Sequence, residues 1–188
     1  EYYLHFDSEV VESENFLYKI NRILPLDISI QEIIQVDEKM HARFSATKRA
    51  YTYHVHFDKD PFKNLFSVYH RKALDVDAMN EACKYLLGTH DFTSFSKGKT
   101  QTKTNLCDLD TAYWEQIEGG IVFHISANRF LRNMVRAIVG TMFLIGEGVL
   151  APEKMADIVA EKNRSSAGKS VHPPGLFLEK IDYPNLHG

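Results

Sequence analysis

The chain has 188 residues, 44% of them hydrophobic and 25% charged, with a formal net charge of −3; this suits a folded globular protein with a sizeable core, and the net charge argues against a uniformly basic nucleic-acid binder. No apolar run approaches the roughly 20 residues that cross a bilayer, and the opening EYYLHFDSEV has no basic segment followed by an apolar one, so neither a membrane span nor a secretory leader is expected. Two cysteines, Cys83 and Cys107, lack metal-type or redox-type spacing, which points to free thiols in a reducing compartment and a cytoplasmic location.

In chain order, SENFLYKINRIL from Ser13 reads as a short helix, with a serine cap, an early glutamate, and Phe16, Leu17, Ile20, Ile23 and Leu24 at helical spacing. Pro25 ends it. ISIQEIIQVD and HARFSATKRAYTYHVHFD are rich in β-branched and aromatic residues and read as strands. In the second, Arg49, Tyr51, Tyr53, Val55 and Phe57 share one face by period-two alternation. A helix follows from Asp77 to about Leu87, capped by Asp75 or Asp77 and stopped by Gly88 in the left-handed region. DFTSFSKGKTQTKTN has neither period and reads as a polar loop. CDLDTAYWEQI and GIVFHISA form a hairpin about Glu118-Gly119-Gly120. NRFLRNMVRAIVG then opens a helix, capped by Asn128 and terminated at Gly146–Gly148, on which Arg129, Arg132 and Arg136 fall within roughly 60° of one another. Leu131, Met134, Val135, Ile138 and Met142 occupy its opposite side. Pro152 opens a further helix to about Lys162, RSSAGKSVHPPG is loop, and LFLEKIDYP is a closing strand. Strands outnumber helices and hairpins outnumber crossovers, so the fold class is α+β, with a mixed or antiparallel sheet and helices packed mainly on one face.

Most small-molecule chemistries are missing. His54 and His56 lie two apart on a strand, but nothing nearby completes a ligand set, so no metal is expected. There is no G-x-S-x-G turn for a serine nucleophile and no glycine loop for phosphate. What the chain does carry is clustered base. Residues 1–40 hold nine acids and three bases, leaving 16 and 19 for the remainder, a balance of +3. Lys97, Lys99 and Lys103 share one glycine-containing loop, as either a solvated loop or a phosphate-backbone contact. His41, Arg43, Lys48 and Arg49 interleave with Phe44 and Tyr51; this is an ordinary strand with polar outward positions, or the charge-and-ring surface that single-stranded or flipped-out nucleotides need. Arg136 neighbours Asn133, Gly140 and Phe143 on the helix, and small Gly140 leaves room above it for an anion, carboxylate or phosphate.

Four blocks, HARFSATKRAYTYHV, GTHDFTSF, ANRFLRNMVRAIVG and GLFLEKIDYP, occur in the order and at separations similar to those of the tRNA pseudouridine synthase A (TruA) family. The resemblance spans His41 to Pro184. It implies a pseudouridine synthase fold of two similar α+β halves meeting at a basic cleft. It also implies an isomerase that converts uridine to pseudouridine in the anticodon arm of tRNA, without metal or organic cofactor, as a homodimer. In such enzymes an aspartate attacks the target nucleoside, and the base detaches, turns and reattaches through carbon. By the matching blocks, Tyr51 contacts the flipped base and Arg136 pairs with that aspartate. Arg43, Arg49, Lys97, Lys99, Lys103, Arg129 and Arg132 are expected to contact RNA. A carboxylate held by a guanidinium stays ionised, as a nucleophile must, and a base must leave its stack to be reached.

The sequence departs from the family at the nucleophile. The G-R-T-D-x-G-V-H-A block that carries the aspartate is not found, and Asp7, Asp91 and Asp108 do not stand in its context. The expectation is therefore of a fragment: residues 1–37 a remnant of the N-terminal domain, residues 38–188 the C-terminal domain, and no activity without the upstream aspartate. Cys107 stands near where the family often carries a basic residue. The alternative is a non-catalytic RNA-binding module using the same basic surface.

Overall fold

The computed structural model describes residues 2–8, 15–97 and 103–184. The chain divides into two compact units, one built on Thr47–Asp182, the other on Tyr3–Ala46 and the residues from Tyr183 on.

The larger unit is organised around β1 (Lys48–His56), whose alternation puts Tyr53 and Val55 on one face and Thr52, His54 and His56 on the other. Antiparallel β5 (Gly120–Ala127) runs along one edge of β1 from Arg49↔Ala127 to His56↔Gly120. The other edge is shared. Closing strand β6 (Leu176–Asp182) pairs antiparallel with Lys48–Tyr53, and the two-residue β2 (Val68–Tyr69) pairs parallel with Val55–His56. β4 (Leu106–Ile117) forms the expected hairpin with β5, turning at Gly119 with φ +70°, and β3 (Gly88–Asp91) pairs antiparallel outside β4. The order β2-β1-β5-β4-β3, with β6 also on β1, makes a mixed, largely antiparallel sheet.

Three helices, α2 (Val76–Cys83), α3 (Met134–Gly146) and α4 (Lys154–Glu161), bury their apolar residues with one face of that sheet. Asp75 caps α2, its carboxylate accepting from Ala78 N at 2.9 Å, and Gly88 takes φ +89° just beyond. α3 is apolar nearly all round, every residue buried except Arg136, Phe143 and Leu144, as befits a central helix. The fold class read from the sequence holds.

Two local expectations do not. α3 starts at Met134, not near Asn128, so Arg129 and Arg132 precede the helix and the three arginines form no single stripe. The cause is local competition. Asn128 is used by the sheet, its Oδ1 accepting from Asp108 N at 3.0 Å and its N donating to Asp108 O at 3.1 Å, while Asn133 adopts φ +70° and blocks helical continuation. The strand expected in ISIQEIIQVD is likewise absent. Its Ile30 backbone is bracketed by one side chain, Asn21 Nδ2 donating to Ile30 O and Asn21 Oδ1 accepting from Ile30 N, both at 2.8 Å. An extended segment satisfied by a carboxamide has no ladder to join. That contact belongs to the smaller unit, whose helix α1 (Phe16–Ile23) has no buried residue; the Ser13 cap lies outside the described residues.

His54 packs edge-on to Phe177 at 5.3 Å, and His70 lies 4.6 Å from the Phe143 ring, with Glu147 Oε1 3.3 Å from its Nε2. Burial lowers both imidazole pKa values, and for His70 the Glu147 charge opposes the shift. Each is therefore favoured neutral in the folded protein while the unfolded chain protonates it near pH 6.5, at about the ordinary histidine value. The stability these residues permit is complete above about pH 6.5 and is lost as pH falls below it. Urea unfolding at pH 7.5 and 5.5 should show lower stability at pH 5.5, with a smaller difference in the His54→Gln/His70→Gln variant.

Candidate active site

β1 delivers two tyrosines to the helix side of the sheet. Tyr51 is half-buried, its ring edge-on to Phe130 at 5.1 Å, and burial raises its hydroxyl pKa against the pull of Arg49. Tyr53, one pleat on, is fully buried and donates its hydroxyl to His172 O at 2.7 Å. Its pKa is strongly raised by burial, with the Arg136 charge opposing, so the Arg136 guanidinium lies within electrostatic reach of that hydroxyl.

Arg136 projects from the first turn of α3 and is half-buried. Its Nε donates to Val171 O at 2.7 Å, and Val171 N donates back to Arg136 O at 3.1 Å. Among the described residues no carboxylate comes within 4.0 Å of it, and its two terminal nitrogens have no hydrogen-bond partner. A guanidinium fixed through Nε keeps both NH2 groups in one plane, the fork that matches a carboxylate.

The segment 164–173 that holds Arg136, expected only to be loop, shapes the site. The room left by Gly140 is filled by this chain's own backbone, since a Cβ there would stand 1.8 Å from Lys169 O. The approach is mutual, a Cβ on Gly168 meeting Gly140 O at 2.6 Å. Gly168 N donates to Thr141 Oγ1 at 2.9 Å. Arg164 ties the loop from beneath, donating to Gly168 O at 3.0 Å, to Ala167 O at 3.3 Å and to Ser170 Oγ at 3.1 Å, and Asn133 Nδ2 reaches the same Ser170 hydroxyl. The sequence signal for this was the pair of small residues, Gly140 and Gly168, but nothing in either alone names its partner.

The basic residues are distributed unevenly. Arg49 Nη1 donates to Asn128 O at 2.9 Å, joining β1 to the segment ahead of α3. Arg129 is half-buried near Cys107, whose thiol burial pushes up to about 11 while the Arg129 charge opposes. Arg132 is exposed, and its carbonyl accepts from Lys97 N at 3.0 Å, tying the lysine loop to the arginine segment. Lys97 and Lys103 are exposed and Lys99 lies outside the described residues. Arg43 belongs to the smaller unit. Concavities of about 430 and 280 Å³ lie elsewhere, around Gly119 and Gly120, and include none of these residues.

A family model described as tRNA pseudouridine synthase matches residues 82–184. A tRNA pseudouridine synthase A of Parabacteroides distasonis is 48% identical over 183 residues, 96% of this chain and 72% of the relative. The chain belongs to the tRNA pseudouridine synthase family. Relatives of the same name from Bacteroides thetaiotaomicron and Bacillus subtilis are 44% and 36% identical, the chain covering 68% and 75% of their lengths. In this synthase the family match contains Arg136 and the whole 164–173 brace, while Tyr51 lies ahead of it, inside the stretch shared with the relatives.

Gly140→Ala should lower stability by about 1–3 kcal/mol, the usual range for overpacking, because the loop must leave α3. Urea unfolding measures the loss, and faster proteolysis between Gly168 and Val171 should accompany it; unchanged stability would mean that the close approach does not hold the loop.

Proposed function

We propose that the protein isomerises uridine to pseudouridine in the anticodon arm of tRNA. The single observation that carries this is Arg136, which lies inside the stretch matched by the family model and is anchored through Nε with its carboxylate-binding edge unfilled among the described residues. Substrate and product differ only in which base atom holds the sugar. The N1–C1′ bond breaks, a C5–C1′ bond forms, and the proton lost from C5 is balanced by one gained at N1. The change is redox-neutral.

In this scheme an aspartate attacks the nucleoside and is kept ionised and oriented by Arg136, since a neighbouring cation favours the charged carboxylate. Tyr51 meets the flipped base on the half-buried face of β1, where its raised pKa keeps the hydroxyl protonated as a hydrogen-bond donor. Arg43, Arg49, Lys97, Lys99, Lys103, Arg129 and Arg132 contact the RNA backbone. The nucleophile is supplied by residues other than these 188, so the chain alone binds tRNA without turnover. Residues 1–37 belong to the domain that carries it, a placement supported by α1, which is amphipathic in sequence yet buries none of its residues; residues 38–188 form the C-terminal domain. A homodimer in the cytoplasm accompanies this assignment.

In a protein bearing the G-R-T-D block, Arg136→Ala and Tyr51→Ala should each reduce pseudouridine formation at least about 100-fold, the scale of a lost electrostatic contact in a reacting site, with tRNA affinity nearly unchanged. Release of tritium from C5-labelled tRNA measures it. A loss confined to affinity would favour the binding module, and turnover by the 188 residues alone would overturn the placement of the nucleophile.

A further inference from the structure

The smaller unit holds a column of side chains that the isomerisation does not use. Between His41 and Ser45 the chain makes a turn closed by the imidazole: His41 Nδ1 accepts the backbone N–H of Arg43 at 3.1 Å and of Phe44 at 3.4 Å. His41 N donates to Ser45 Oγ at 2.9 Å, and Ser45 N donates to His41 O at 2.9 Å. An Nδ1 that accepts requires the neutral tautomer with its proton on Nε2, so ring and turn are fixed together. On this base the rings line up, His5 to His41 at 4.1 Å and His41 to Phe44 at 4.4 Å, with the Arg43 guanidinium carbon 5.5 Å from the centre of the Phe44 ring.

Phe44 is nevertheless 74% exposed. A phenyl ring held in place by its own turn and left open to water is pre-organised for a flat apolar partner. The guanidinium over part of the ring selects what that partner is attached to. A π-face next to a cation matches a nucleotide whose base is out of its stack, the base on the ring and the phosphate on the guanidinium, and it does not match a duplex, whose bases are already stacked.

We propose that Phe44 and Arg43 form a stacking platform for an unpaired nucleotide of the substrate RNA, distinct from the uridine that reacts. This rests on the assignment of tRNA as substrate. It adds a specificity determinant: the enzyme reads an unpaired base elsewhere in its substrate as well as the target itself. Duplex arms, offering no free base, gain nothing from this ring.

Phe44→Trp provides the test, because the chain's single tryptophan, Trp114, is only 3% exposed and a second indole at position 44 can be read separately. Titrating the full chain with a short oligouridylate should quench the new emission to saturation, and a fully paired RNA of equal length should not. Phe44→Ala should weaken oligouridylate binding about tenfold with an unchanged salt dependence, Phe44→Tyr should retain it, and Arg43→Gln should flatten the salt dependence by about one phosphate. No quench, equal binding by Phe44→Ala, or equal effects on paired RNA would overturn the platform. Failure of the tRNA assignment reads out differently, as absent turnover in the protein bearing the G-R-T-D block with the quench intact.

Discussion

One hydrogen bond fixes the arginine on which the proposed chemistry depends: Arg136 Nε to the carbonyl of Val171. It decides which edge of the guanidinium is used internally and which is left for a partner. The bond exists only because the 164–173 loop lies directly on α3, and the loop can do so only because Gly140 and Gly168 meet without side chains. A methyl group at either place would lift the carbonyl away. Arg164 holds the loop down through the Ala167 and Gly168 carbonyls and the Ser170 hydroxyl. A half-buried cation with one edge satisfied is less costly than one with none, and the remaining edge is steered toward an anion.

The sheet supplies the other side of the site for related reasons. β1 is flanked on both edges, by β5 on one and by β6 and β2 on the other, so its register is over-determined and the tyrosines on its helix side have little freedom. Tyr53 uses its hydroxyl to hold His172, at the far end of the same loop that holds Arg136. Strand, helix and loop thus constrain one another at three points. That rigidity suits the proposed reaction, in which a planar base and a carboxylate are held in fixed relation.

Much of this is legible in the sequence. The alternation of Tyr51, Tyr53 and Val55, the Gly119 turn, the Asp75 cap and the closing strand follow from local rules, and the structure keeps them because each is also satisfied by its tertiary neighbours. What sequence could not reach were long-range partners. Asn128 has the chemistry of a helix cap, but Asp108, distant in sequence, claims it; Asn133 then breaks the helix that periodicity alone would begin earlier. ISIQEIIQVD has strand composition, but Asn21 satisfies the backbone of Ile30 and no ladder forms. Arg136 is half-buried, but the group packed against it, the backbone of residues 168–171, gave no local signal, and it fills the room that Gly140 suggested for an anion. The four family blocks located the family without revealing this contact, since ordered motifs specify positions and not who touches whom.

In the proposed mechanism Arg136 and the aspartate of the G-R-T-D block act as one unit. A double-mutant cycle on pseudouridine formation, pairing Arg136→Ala with conversion of that aspartate to asparagine in a protein carrying both, tests it most directly. If the two are coupled, the double variant loses no more activity than the aspartate variant alone. Independent, multiplicative losses would show that the guanidinium serves something other than the nucleophile.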